Sequence, residues 1–267
     1  MIVLRKYALA SSAAVLVTFG LAASALADGR GRGPVGYDHP WSWSGFYLGL
    51  HAGGAWSDVD FTNRDTGQNI SNAALGTGWS LSPDGFIAGV HGGYQQQWGS
   101  WVAGVELSFS GGSMRDSAFV PLPAQFDDTF RADVNNLFTA TGRLGYAAGP
   151  WLLYAKGGYA GGRLEVSAVD SITNGGQLGT APNTWSSKEW HNGWTLGAGV
   201  DYKIAHNVSF GIEYNFINLQ SRSHTANVLN SAGTSIGPAS FDVDSEIQTV
   251  TARITFQFDR ERSAPLK

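Results

Sequence analysis

Six charged residues, Glu106, Arg143, Lys156, Asp201, Glu213 and Arg253, stand inside runs in which apolar residues alternate with small or polar ones. All six take the polar parity, and three acids balance three bases. Alternate side chains of a strand share a face, so if the runs are staves of one closed sheet these groups meet inside it, Glu106, Arg143, Lys156, Glu213 and Arg253 about five residues from one rim and Asp201 lower down. Charge enclosed in this way needs opposite charge beside it, because an unpaired buried ion is strongly destabilising. The expected arrangement is a salt-bridge plug that neutralises itself; a gated ion path is the other reading of the same set.

His51 and His91 take the polar parity of adjacent runs at similar depth, where two imidazoles can share a proton or supply half of a metal site. His191 and His224 fall in or beside long connections. The acidic pairs at Asp127 and Asp128, and at Asp242 and Asp244, lack the ligand spacing of a calcium loop and read as solvated faces. No nucleophile, base and orienting group come together near a rim, so no catalytic residue, no resident metal and no enzymatic activity are expected.

What must position the charges is a series of strands. The stretch 134–161 is two alternating runs joined by Ala147, Ala148, Gly149 and Pro150, a tight hairpin signal. Its first run puts Val134, Phe138, Ala140, Leu144 and Tyr146 on one face; its second puts Trp151, Leu153, Ala155 and Tyr159 opposite Leu152, Tyr154 and Lys156. Runs of about ten residues with aromatics near both ends of the apolar face match a tilted strand crossing a bilayer between interfacial girdles.

The pattern returns from Trp43 to Phe258 in eight runs. Short connections (Gly99 and Ser100, Ala147 to Pro150, Ala205 to Asn207) alternate with long ones at about 57–84, 111–130, 164–189 and 219–244. Keeping every long connection on one rim is the habit of outer-membrane barrels, with short periplasmic turns and long extracellular loops. The expected fold is therefore all-β: an eight-stranded antiparallel up-and-down transmembrane β-barrel with four long extracellular loops. Eight staves leave an interior that side chains fill. Trp56, Trp79, Trp185 and Trp190 read as girdle anchors near the outer rim.

The rest of the chain agrees. Residues 1–27 carry Arg5 and Lys6, an apolar stretch and an Ala25-Leu26-Ala27 end, a secretory signal cleaved between Ala27 and Asp28. Residues 28–42 are a Gly- and Pro-rich periplasmic lead-in, 43–258 the barrel and 259–267 a polar tail. There is no cysteine, hence no disulfide or thiolate chemistry, and a net charge of -4 without a basic run argues against nucleic acid.

Trp43 to Gly49 (WSGFYLG), Gly142 to Tyr146 (GRLGY), Gly149 to Tyr154 (GPWLLY) and the closing Ala252 to Phe258 together resemble the alphaproteobacterial outer-membrane immunogenic proteins, often labelled porin-family. The resemblance implies a surface-exposed barrel in the Gram-negative outer membrane, with roles in envelope integrity and host contact. It also implies partners in outer-membrane lipid, lipopolysaccharide, the assembly machinery and host surfaces. A low-conductance porin for small solutes is the alternative. Haem binding is attributed to some relatives, and His191 and His224 are where an axial ligand would be sought. The chain departs from the family pattern in the polar residues 259–267 after Phe258, where a C-terminal assembly signal would end.

Overall fold

The computed structural model describes residues 41–64, 74–119, 128–170 and 182–258. The cleavage site at Ala27 and Asp28, most of the lead-in and the tail 259–267 lie outside these residues. The strands are β1 (Gly45–Asn63), β2 (Gly78–Leu81), β3 (Asp84–Trp98), β4 (Trp101–Phe119), β5 (Asp128–Ala148), β6 (Trp151–Asp170), β7 (Asn183–Ala205), β8 (Val208–Leu229) and β9 (Ser235–Phe258). Every pairing is antiparallel, each of β3 to β8 pairs with the next, and β1 pairs with both β3 and β9, so the sheet closes into a barrel.

Nine segments make eight staves. β3 pairs with β1 over Gly45 to Trp56 and β2 pairs with the same edge of β1 over Val59 to Thr62. The break between them holds Pro83, which has no N–H to give a ladder. Two of the short turns place glycine at positive φ, Gly99 at 60° and Gly149 at 61°, the left-handed region that tight hairpins need.

Closure satisfies the backbone, and the side chains then sort by parity. Phe46, Leu48 and Leu50 on β1, Val105 and Leu107 on β4, and Ile254 and Phe256 on β9 face outward and are exposed. Trp98, Trp101, Tyr146 and Trp151 edge this belt at the short-turn end, and Trp56, Phe86, Tyr159 and Trp194 edge it at the other. About ten residues of tilted strand separate the two girdles, enough for a hydrocarbon layer of about 25 Å.

Above the belt the strands continue, and most of the residues the sequence pattern assigns to the long connections belong to them. There the sorting inverts. On β6, Leu152, Tyr154 and Lys156 face inward below, and Leu164, Val166 and Ala168 face inward above, while Arg163, Glu165 and Ser167 take the outward positions. The barrel is thus polar inside and apolar outside within the membrane, and apolar inside and polar outside beyond it.

Bulges mark the change of level. The register shifts between Val134 and Asn136 on β5 and between Leu219 and Arg222 on β8. An extra residue in one strand turns the following side chains to the other face. Val134 is accordingly buried inside, not on the outward face with Phe138 where simple alternation puts it. Trp79 and Trp185 also differ from expectation. They pack inside against Phe61, Phe130 and Phe241, with ring centroids 4.7 to 5.8 Å apart for Trp79 and 4.9 Å for Trp185 and Phe241. Trp56 and Trp190 remain outward.

Candidate functional site

The six charged residues form one layer across the lumen. Glu106 on β4 has Lys156 Nζ at 2.9 Å, Arg253 Nη2 at 2.6 Å and Arg143 Nη1 at 3.5 Å. Glu213 on β8 has Lys156 Nζ at 2.7 Å and also accepts from Arg253. Asp201 on β7 takes Arg143 Nη2 at 3.2 Å, with Arg253 Nε at 3.9 Å. All six side chains are buried. Three carboxylates and three cations interleave, so each ion meets opposite charge on at least two sides, which offsets the cost of taking it out of water.

Two phenols complete the layer, and alternation alone gave them no role. Tyr47 donates to Glu106 Oε2 at 3.1 Å and accepts from Arg143 at 3.4 Å. Tyr154 donates to Glu213 Oε2 at 2.7 Å and accepts from Arg253 at 2.7 Å. The Arg143 guanidinium also lies 3.9 Å from the centroid of the Tyr154 ring. Their legible signal was size: large aromatic side chains at polar-parity positions beside the charges. A hydroxyl that bridges cation to anion satisfies bonds the ions cannot make to one another.

His51 and His91 lie above this layer, Nδ1 to Nδ1 at 3.4 Å, with His51 Nε2 on Ser110 Oγ at 2.8 Å and His91 Nε2 on Thr255 Oγ1 at 2.9 Å. With both Nε2 atoms held by hydroxyls, the pair is a hydrogen-bonded element of the lumen. Beside His51 is a cavity of about 30 Å³ bounded by Lys156 and Glu213 below and by Ile87, Leu137 and Ile217 above. It holds room for a water or two, not a path.

The lumen is closed again at both ends. Toward the short turns, Trp43 folds in against Val102, Ala147, Leu152 and Tyr154. Lys203 Nζ stands 4.9 Å from the Trp43 ring centroid and donates to Ser42 O, His206 O and Gln257 Oε1. Toward the outside, the aromatic cluster of Phe61, Trp79, Phe130, Trp185 and Phe241 lies within a larger apolar core.

A fold built in this way has known counterparts. Residues 12–258 match the family model described as outer membrane protein beta-barrel domain. The chain belongs to this family. It is an outer-membrane protein, as its relatives are named. A 31 kDa outer-membrane immunogenic protein of Brucella melitensis is 31% identical over 224 residues, covering 82% of this chain and 89% of the relative. A 22 kDa outer membrane protein of Rhizobium leguminosarum bv. viciae is 29% identical over 190 residues, covering 68% and 67%. Among solved structures, the outer membrane protein OprG from Pseudomonas aeruginosa aligns over 83% of this chain and 100% of its own, with 14% identity and a TM-score of 0.46.

The haem ligands suggested by the resemblance do not fit this family member. His191 and His224 lie on β7 and β8, not in loops, and both are fully buried. Their Nε2 atoms are 2.8 Å apart and bonded to each other, which leaves no room for an iron between them and no open face toward a porphyrin. Among the described residues, no group of three or more histidine or acidic side chains is placed to hold a metal ion.

Proposed function

We propose that this outer-membrane barrel is a non-conducting anchor that carries a rigid, polar-surfaced extension and its loops beyond the outer leaflet for contact with other surfaces. The observation that carries the reading is the threefold occlusion of the lumen, by the Trp43 cluster, the six-charge layer and the outer aromatic core. A porin needs a continuous wet path, and eight staves give little interior to spare once side chains fill it. The extension supports the contact role, because its outward face is polar while its core is packed like that of a soluble barrel. The immunogenic proteins among its relatives agree with a chain displayed at the cell surface. Lipid and lipopolysaccharide are the partners that the apolar belt and its girdles suit.

The test is planar-bilayer conductance of the full chain refolded into lipid. The expected result is no steady unitary current at neutral pH. Steady wild-type conductance that survives Arg143→Ala unchanged would overturn the reading in favour of a low-conductance porin.

A further inference from the structure

We propose that the outward wall of β1, β3 and β4 carries a site for one phospholipid of the inner leaflet, an acyl chain lying in a groove over Gly92. This narrows the lipid contact proposed above to a single site and rests on that contact. The outward positions of β3 are Phe86, Ala88, Val90, Gly92, Tyr94, Gln96 and Trp98, and Gly92 alone among them has no side chain. Its cross-strand neighbours are large: Leu48 on β1 and Leu107 on β4, both exposed to lipid. Two residues nearer the short turns, Phe46 and Tyr94 meet ring to ring with centroids 4.9 Å apart, and Phe258 and Val105 flank them. The result is a hollow of about 820 Å³ floored by Gly92, with Ala140 beyond Leu107 at its far edge.

The groove lies in the hydrocarbon layer, where water does not compete for it and the backbone of the closed sheet is already paired. Lipid tails are as apolar as leucine, so burial as such favours no position over another, and contact area decides. On a flat stretch of the belt an acyl chain touches protein along one side. In this groove it has Leu48, Leu107 and the floor around it, each atom pair adding a small dispersion gain. The depth fits one leaflet. Gly92 is midway between the girdle residues Phe86 and Trp98, so a chain running in from the short-turn rim ends over it. Short turns are periplasmic in outer-membrane barrels, which makes that leaflet the inner one.

The rim end of the groove suits the glycerol and ester region of the same lipid. Tyr94 donates its hydroxyl to Gln96 Oε1 at 3.1 Å, and Gln96 Nε2 donates to Ser44 Oγ at 3.1 Å. Gln96 is thus an amide on the lipid-facing parity, set between Tyr94 and the girdle residue Trp98, where hydrocarbon gives way to headgroups. The outward side chains at this end, Phe46, Tyr94, Gln96 and Trp98, are all uncharged. The site therefore selects a diacyl lipid by its tail and not by the charge of its headgroup.

The full chain, refolded into phosphatidylethanolamine vesicles and transferred to a mild detergent, would be weighed by native mass spectrometry as the detergent is raised. Gly92→Leu fills the floor, although its Cβ comes to 3.2 Å from the Tyr47 carbonyl oxygen. Ala140→Leu fills the far edge without that contact and keeps the test if the first variant fails to fold. Ala198→Leu, outward on β7 and away from the groove, is the control. The expected result is one phospholipid per chain held by wild type and by the control after all others are stripped, and released from the two filled variants at about tenfold weaker affinity. A wild type that sheds its lipids gradually, with no one-lipid step, has annular lipid only and overturns the proposal. Unchanged retention in the folded filled variants overturns it too. Phosphatidylglycerol should be held as well as phosphatidylethanolamine, and a strong preference for the anionic lipid would overturn selection by the tail. Conductance plays no part in these readouts, so loss of the non-conducting reading and loss of this site are told apart.

Discussion

His191 and His224 meet Nε2 to Nε2 at 2.8 Å across the β7–β8 seam, and their surroundings fix where the protons are. The Gln220 carbonyl can only accept, so His191 Nδ1 is the donor in that contact and carries its proton. His191 Nε2 is then a lone pair, and His224 Nε2 must donate to it. His224 Nδ1 is left as a buried acceptor that has no partner. A proton arriving at this pair would go to His224 Nδ1 first, putting charge beside the apolar core.

That geometry predicts acid sensitivity in the extension. Burial and the neighbouring His191 and Arg222 push His224 down to about 4, and burial lowers His191 as well, with Arg222 and Glu189 as its charged neighbours. A histidine with a depressed folded pKa contributes its full stability above the ordinary range near 6.5, and loses it as pH falls toward the folded value. Urea unfolding in micelles should therefore weaken between pH 7 and pH 4 more for wild type than for a His191→Leu, His224→Leu double variant. Identical pH slopes would remove the pair from the account.

Arg253 is the member of the charge layer that reaches all three carboxylates. Arg253→Ala leaves three acids with two bases in a closed space, and is expected to lose about 3 to 5 kcal/mol of folding free energy. Equilibrium unfolding in lipid vesicles measures it. The variant should still not conduct, because the Trp43 cluster and the outer aromatic core remain on either side.

How much of this was legible follows from where alternation keeps one meaning. Within the belt the period-two pattern separates Leu153 from Lys156 without ambiguity, and it places the six charges on one face. Above the belt the same alternation continues on β6 with its sign reversed, Leu164 and Val166 now inside, and a reader following one apolar parity loses the strand there. The bulge at Asn135 flips Val134 through backbone geometry that no single residue announces. His191 and His224 meet only because β7 and β8 run past the membrane, so their contact was hidden with the strands that make it. The bridging by Tyr47 and Tyr154 depends on reach across the lumen, which sequence spacing does not encode.

The outer wall at β1 and β9 carries a strain of the opposite kind. Asp60 stands directly opposite Asp244, and Asp58 opposite Glu246. Like charges facing across a strand pair are destabilising. Partial burial and the neighbouring carboxylates, Asp60 first among them, raise the pKa of Asp244. A raised acid contributes stability below its unfolded pKa and loses it as pH rises through the folded one. Asp244→Asn should accordingly stabilise the protein at neutral pH by about 0.2 to 1 kcal/mol and show little gain in acid. Equal unfolding midpoints for variant and wild type at neutral pH would remove the repulsion.

The inversion along β6 gives the sharpest test, because two pairs of adjacent positions on one strand, one pair in the belt and one above it, set inward against outward sites. Leu152 is fully buried against Trp43 and Val102, whereas Leu153 faces lipid and is 56% exposed. Leu152→Ala should lose about 2 to 5 kcal/mol through lost packing. At Leu153 alanine removes only lipid contact and should lose far less, while arginine there faces the hydrocarbon layer and is expected to lose up to about 2 to 4 kcal/mol, less in proportion to its nearness to the rim. Leu152 is therefore intolerant although it faces inward, since the lumen at that level is an apolar cork and not a wet space. Higher on the same strand the outward rule changes sides. Leu164→Ala should again lose about 2 to 5 kcal/mol. Glu165→Arg, at an outward position beyond the girdle, should be close to neutral once its exposed pair with Lys188 at 2.7 Å is allowed for. Folding free energies in vesicles would read all of these on one scale. Should Glu165→Arg lose as much as Leu153→Arg, residue 165 lies in lipid, and the division of the wall into a membrane belt and a water-facing extension is wrong.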